Sequence, residues 1–459
     1  MSELGYNDGM ETFDNAFALD DDGNARRFAS LYSEDLMFVT EYKRWFYWDG
    51  SRWAVSIGQE TEKAMQFIQL LHMEAAPFLA LNDTEYKRRT AHILKSAGKI
   101  PYLLGLAAKT PELRAETSAL DANRSWINFG NAVVDVKDGT LMVPDPLDRL
   151  TKRTAVAYRP NAEAPQWERF LADVLPDPAL REYVQRLAGY SLLGDVNERL
   201  LVFLFGEGRN GKSVFVEVLR ELLGDYALGT PVTTFLKKMS GGEQSNDLAR
   251  LRGARFIAAS EFEEGARVNN ALLKRVTGDE KITARPLYGE FFDFVFEGTI
   301  WVSTNHMPFF GSDLAVWDRV KVIPFTVRIP DEAVDVRIKS KLLAEGAGIL
   351  QWVLDGARQY LAHGLEEPTS LLQTRAELRD EQDLLSVFVT ERCEVDADYC
   401  DTSSGLYLSY TEWAVMAGEK PTSKRTFGIR LKAAGYPEAR FSGGTRGYRG
   451  LRVKQGVTV

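Results

Sequence analysis

The chain predicts an α/β fold built around a phosphate-binding loop, and three observations predict it. Short apolar runs, LVFLFG at 201–206, RFIAAS at 255–260, TIWVST at 299–304 and VKVIPF at 320–325, have the length and continuity of strands buried on both faces. Helix-length segments such as KSVFVEVLRELLG separate them, which is the alternation of a parallel sheet covered by helices. The first run passes directly into Gly206-Glu207-Gly208-Arg209-Asn210-Gly211-Lys212-Ser213, which fits G-x-x-x-x-G-K-[ST] at a strand-to-helix junction.

The other elements follow in chain order. Residues 1–25 hold seven acids and no Lys or Arg, the composition of a flexible tail. A mixed α+β domain is expected over 26–190. In it, RWFYWDGSRWAV and VVDVKDGTLMV read as hairpins turning at Asp49-Gly50 and Asp138-Gly139. Between them, EKAMQFIQLLHMEAAPFLA has helical spacing, and the Lys/Arg-rich EYKRRTAHILKSAGKI reads as a solvated helix face before it reads as a DNA contact. A helix through PALREYVQRLAGYSLLG leads into the phosphate-loop domain at 191–365, and a helical linker is expected over 366–402.

Each position of the loop has a physical reason. Glycines allow the tight path that turns successive N–H groups toward phosphates, and the helix N-terminus adds its positive dipole end. Lys212 reaches the β- and γ-phosphates of ATP, and the Ser213 hydroxyl is a ligand for Mg²⁺. Glu261, just past the second strand, can hold the Mg²⁺ shell or polarise the attacking water. Glu263 and Glu264 read equally well as solvated loop acids. Asn305 ends the third strand and is suited to orienting water beside the γ-phosphate, whereas His306 next to it reads as structural or surface-exposed. Arg319 opens the fourth strand. A guanidinium there either makes a surface salt bridge or acts on the transition-state charge of a neighbouring subunit's nucleotide.

Taken in order, these motifs resemble the compact core of the superfamily 3 helicases, AAA+-related motors of viruses, phages and plasmids. More closely, LLKRVTGDEKITARPLYGEFFDFVF resembles the motif that the poxvirus-type and phage/plasmid primase-helicase ATPases carry as a helix and a channel-facing β-hairpin. The resemblance puts Lys274, Thr277, Gly278, Asp279 and Arg285 on the family pattern, with Lys281 beside the hairpin, and implies that Lys274, Lys281 and Arg285 contact DNA. NARRFASLYSEDLMFV, RWFYWDGSRW and NAVVDVKDGTLMVPDPLDRLTKR are similar to the region ahead of the motor, so 24–345 is covered. It implies an AAA+-like ring, a hexamer, that hydrolyses ATP and moves 3′ to 5′ on one DNA strand in a bacterial host's cytoplasm. A separate primase or initiator is an implied partner. Many relatives have two arginines where this chain has Asp318-Arg319, so Arg319 alone carries over as the finger. No D-x-D with a downstream His marks a primase site, and priming is not expected.

Composition bounds the partners. The 459 residues carry a net charge of −9, but Lys420–Lys454 holds ten basic residues against the single acid Glu438, a net of +9 that leaves −18 elsewhere. This basic end resembles a winged-helix module over 403–459. Helices are expected at 403–417 and 422–435, and YPEARFSGGTRGYRGLRV reads as a wing turning at Gly443-Gly444 and Gly447. Lys424, Arg425, Arg430 and Lys432 would lie on or beside the recognition helix, and Arg446 and Arg449 on the wing reaching phosphates. Two cysteines and four histidines cannot assemble a disulfide framework or a four-ligand zinc site. No apolar run approaches the ~20 residues of a membrane span, and a soluble, intracellular protein is expected. An ATP-regulated origin-binding initiator without unwinding activity is the alternative reading. A nucleotide kinase fits less well, given the strand-terminal Asn and the basic end.

Overall fold

The computed structural model describes residues 17–18, 20–75, 84, 99–194, 197–237, 245–259, 261–263, 266, 268–278, 280–285, 290–308, 310, 313–381, 384–419, 421–440 and 445–454. Most of the acidic tail, most of the Lys/Arg-rich segment at 85–100, Glu264, Asp279 and Gly443-Gly444 lie outside the described residues. Two compact units divide the chain. The first comprises 1–164 with 221–226 and 343–354; the second comprises 165–220, 227–342 and 355–459.

In the first unit, helix α1 (Asp21–Tyr32) opens at Asp20, whose carboxylate accepts the Gly23 N–H at 2.7 Å. Strands β1 (Leu36–Val39), β2 (Arg44–Trp48) and β3 (Trp53–Val55) form an antiparallel sheet, and β4 (Arg114–Ala115) joins β1 in parallel. Helices α2 (Gln59–Ala75) and α3 (Ile100–Ala107) pack with α1 around Phe28, Phe67 and Leu103. A meander of β5 (Trp126–Asn128), β6 (Val133–Asp135) and β7 (Leu141–Met142) follows. Both hairpins occur where the alternation predicts them, but their turns differ. Trp48 pairs with Trp53, and the Asp49 carboxylate accepts the Ser51 and Arg52 N–H groups at 2.9 and 3.0 Å, so a side-chain cap closes the loop. In the second, Asp135 N–H reaches Thr140 O at 2.9 Å across residues 136–139, with Gly139 at φ +79°.

The second unit begins with α4 (Pro165–Val174) and α5 (Pro178–Leu193), the latter capped by Asp177 and ended by Gly194 in the left-handed region. Then come β8 (Leu201–Phe205), α6 (Lys212–Leu222), β9 (Ala227–Thr230), α7 (Ser245–Arg250), β10 (Phe256–Ala259), α8 (Asn270–Val276), the hairpin β11 (Lys281–Ala284) and β12 (Phe292–Val295), β13 (Thr299–Thr304), α9 (Leu314–Trp317) and β14 (Val320–Pro324). Five strands form one parallel sheet in the order β14-β8-β13-β10-β9. The four apolar runs are its inner strands and one edge. The other edge, β9, reads ALGT, and its half-buried, Gly-containing run carries no strong strand signal. Trp301 is fully buried at the sheet centre, stacked on Phe256 and donating its indole N–H to the Ser191 hydroxyl at 3.0 Å.

Helices α10 (Ile338–Ala344), α11 (Gly346–His363) and α12 (Thr369–Glu381) follow the sheet. Helix α11 crosses α5 at contact distance through two glycines. A Cβ on Gly189 would stand 2.0 Å from Ala357 N, and one on Gly356 would stand 2.1 Å from Gln185 O. Main chain cannot retreat from such a clash, so Gly189→Ala is expected to cost about 1–3 kcal/mol, read as a lower urea midpoint at unchanged slope.

Residues 384–402 are not linker. They form α13 (Leu384–Arg392) and β15 (Cys393–Thr402), followed by α14 (Ser403–Met416), α15 (Lys424–Ala433), β16 (Glu438–Arg440) and β17 (Arg446–Val453). Strand β17 lies between β15 and β16, and Phe388, Leu406, Tyr410, Phe427, Tyr448 and Leu451 share one core. Helix α15 opens at Ser423, whose hydroxyl accepts the Thr426 N–H at 3.2 Å. Gly447 is inside β17 and not in a turn. Among the described residues no helix is long and apolar enough to cross a membrane.

Candidate nucleotide site and basic surfaces

The loop from Gly206 to Gly211 joins β8 to α6 at the C-terminal edge of the parallel sheet, where the ends of β10 and β13 also open. A cleft of about 760 Å³ lies there. Its lining includes Gly208, Lys212, Ser213, Glu261 and Asn305. The glycine requirement is geometric at Gly206. Its φ is +154°, and a Cβ would sit 2.2 Å from Phe325 O. Asn210 fixes the loop from the same side, donating its amide to Phe325 O at 3.0 Å, and Arg209, at φ +63°, ion-pairs with Asp331.

Lys212 is 4% exposed. Its ammonium donates to Gly206 O at 2.5 Å, Glu207 O at 3.0 Å, Asn210 Oδ1 at 3.0 Å and Asn305 Oδ1 at 3.1 Å. Burial pushes its pKa below the usual lysine value, and the Glu261 charge opposes part of that shift. Glu261 in turn accepts the Asn305 N–H on Oε1 at 3.0 Å. Three residues far apart in the chain are thus joined in sequence: carboxylate, strand-end amide, ammonium. The Asn305 side-chain N–H₂ has no partner among the described residues and is left to donate into the cleft. Ser213 opens α6 beside them. This oxygen-donor pair, a hydroxyl and a carboxylate, fits a hard cation such as Mg²⁺.

Arg319 is elsewhere. Val320 pairs with Leu201 and Pro324 with Phe205, so Arg319 precedes the first rung while the loop follows the last. Six residue rises of ~3.3 Å put roughly 20 Å between them. Its Nε–H donates to Thr277 Oγ1 at 3.0 Å, and its Nη1 to Ala315 O. Neither contact had a local signal in the sequence.

The basic residues fall into two groups. On the hairpin, Ile282, Ala284 and Phe294 are buried while Lys281 and Arg285 are exposed, the Arg285 guanidinium 4.9 Å from the Phe291 ring. Lys274 is instead paired with Asp313 at 2.5 Å. At the C-terminus, Lys424, Arg425, Arg446 and Arg449 are exposed and Arg430 is half-buried. Lys424 donates to Ser404 Oγ at 2.9 Å. Arg440 and Arg446 are paired directly across the β16–β17 ladder. Like charges in that position cost stability, and sequence reading missed Arg440 because the cost depends on register.

Comparison with known proteins gives the family of the chain. A family model described as "D5 N terminal like" matches residues 25–176, and a family of unknown function, DUF5906, matches residues 204–319. The chain belongs to the D5-type primase-helicase family. "Putative helicase L207/L206" of Acanthamoeba polyphaga mimivirus is 30% identical over 335 residues, 66% of this chain and 35% of that protein. "Putative helicase 022R" of Frog virus 3 is 25% identical over 283 residues, 57% of this chain and 29% of that protein. The chain therefore spans about a third of the length of these D5-type relatives. The apo C-terminal region of NrS-1 superposes with a TM-score of 0.46 at 11% identity, over 94% of this chain and 100% of that one.

Proposed function

We propose that the chain is an ATP-driven replicative DNA helicase working as a hexameric ring, with 3′ to 5′ movement along one strand. The observation that carries this reading is the chain of contacts from Glu261 through Asn305 to Lys212 at one end of the parallel sheet. It supplies the groups that NTP hydrolysis needs, and the relatives are named as helicases. Lys212 exchanges its contacts with the Gly206 and Glu207 carbonyls for phosphate oxygens of ATP. Mg²⁺ bound by Ser213 and Glu261 would neutralise charge on those phosphates. Glu261 takes the proton of the attacking water, Asn305 orients that water, and ADP and phosphate leave. Arg319, too far from its own loop, serves the neighbouring subunit's nucleotide. An AAA+-like motor of this kind moves DNA with the hairpin that carries Lys281 and Arg285.

The order helix, strand, helix, helix, strand, strand over 384–454, with the last strand in the middle, supports a winged-helix module for duplex or origin DNA. Arg446→Ala with Arg449→Ala is expected to weaken DNA binding about equally on all sequences and to lower the salt dependence by roughly one unit per lost phosphate contact, read by fluorescence anisotropy against salt. A phage, plasmid or integrated element as the source rests on the family resemblance, since the matched relatives are viral.

Strand displacement on a forked duplex tests the reading. ATP-dependent release of one strand is the expected result. DNA-stimulated hydrolysis without displacement, under conditions that assemble the ring, would replace the helicase with an ATP-regulated DNA-binding initiator.

A further inference from the structure

We infer that the Thr277 hydroxyl aims Arg319 at the neighbouring subunit's nucleotide and links that guanidinium to the base of the basic hairpin. This rests on the reading of Arg319 as a finger given above. Thr277 caps α8 and is 2% exposed, so water cannot take its place. Its proton is committed to Leu273 O at 2.6 Å, which leaves the oxygen able only to accept, and the Arg319 Nε–H at 3.0 Å is what it accepts. With Nη1 held by Ala315 O, two of the three guanidinium nitrogens are held, and Nη2 has no partner among the described residues.

The main chain under Arg319 is fixed by other groups. Its carbonyl accepts the Leu201 N–H at 2.9 Å, and the next carbonyl, Val320 O, accepts Arg375 Nη1 at 3.2 Å. Arg375 also lies 3.2 Å from Glu367, which ion-pairs with Lys321 on β14. Removing the hydroxyl therefore leaves the strand in place and frees only the side chain's direction. Thr277 also stands four positions before Lys281, the first residue of β11. A hairpin that shifts on DNA would pull on α8's end and hence on the finger. Thr277 is thus a positioning residue that couples DNA at the hairpin to hydrolysis next door.

The test compares Thr277→Val, Thr277→Ser and Arg319→Ala by ATPase with and without forked DNA, each also mixed with Lys212→Ala protein. Thr277→Val is expected to lose about 10- to 100-fold in kcat with KM within about twofold, as misplacement by about an ångström does, and to lose stimulation by DNA. Thr277→Ser keeps the acceptor and should retain most of the activity and the stimulation. Mixing Thr277→Val with Lys212→Ala should recover turnover, because the Lys212→Ala subunit offers an intact Thr277–Arg319 pair. Wild-type turnover in Thr277→Val, or a Thr277→Ser variant as weak as Thr277→Val, would overturn the inference. So would recovery of Arg319→Ala but not of Thr277→Val in the mixtures, which would leave the finger reading intact. If neither mixture recovers, both fall together. Thr277→Ala, which removes the acceptor without adding bulk, gives the same reading should Thr277→Val fail to fold.

Discussion

Lys212→Ala protein is expected to fold and to hydrolyse ATP at least about 100- to 1,000-fold more slowly than the wild type, the usual consequence of removing a preorganised group from a developing phosphate charge. The local geometry makes the loss larger than that of one charge. Four acceptors converge on the ammonium, two of them loop carbonyls and two of them amide oxygens. Without the cation these oxygens would face phosphate oxygens across the cleft, and the Glu261 carboxylate would add a further negative charge. Burial also disfavours a larger replacement, so Lys212→Arg is expected to be nearly as inactive. A coupled phosphate-release assay reads the rate, and a fluorescent ATP analogue reads affinity. Substantial residual turnover in Lys212→Ala would mean that ATP is hydrolysed somewhere other than this loop.

How much of this was legible in the sequence varies with the physics of each element. Strands β8, β10, β13 and β14 were readable because strands buried on both faces are continuous apolar runs. Strand β15 was not. CEVDADYCDT is acidic, and it is a strand because β17 offers it a ladder, with Glu394 opposite Arg452 and bound to it at 2.7 Å. Propensity cannot show pairing between residues nearly 60 apart in sequence. The same distinction divides the site. Lys212 and Ser213 belong to a contiguous motif, so spacing alone picks them out. The link from Lys212 to Asn305 and on to Glu261 exists because β8, β13 and β10 are neighbours in the sheet, an order that composition does not encode. Lys274 shows the converse. The family pattern implied a DNA contact there, and the fold brings Asp313 to it.

The basic C-terminus shows why the net charge of the whole chain is a poor guide to partners. Several of its positives are spent within the module: Arg452 on Glu394, and Lys432 on Glu438 at 2.8 Å. Of those left exposed, Lys424 and Arg425 lie on the first turn of α15, and Arg440, Arg446 and Arg449 lie on the β16–β17 ladder. A like-charge pair directly across a ladder is costly by itself, and an anion shared between the two guanidinium groups would offset that cost.

Arg319→Ala alone should lower turnover by about 1,000-fold or more, comparable with other arginines that act on a phosphoryl transition state, while leaving nucleotide affinity nearly unchanged. The sharper result is expected when it is mixed with Lys212→Ala. Each protein is inactive by itself, one for want of a finger and the other for want of a loop. In a mixed ring, an Arg319→Ala subunit keeps its loop and can receive the finger of a Lys212→Ala neighbour, so those interfaces should hydrolyse ATP. With random mixing of equal amounts, about a quarter of interfaces carry both intact parts, which sets the recovery to look for on a background about 1,000-fold lower. The roughly 20 Å that the five-residue strand puts between Arg319 and its own loop is the reason to expect recovery, because a guanidinium on a four-bond stem cannot cover that distance within one subunit. No recovery, with subunit exchange demonstrated independently, would mean that Arg319 has a structural duty at Thr277 and Ala315 and that the charge in the transition state is met by another group.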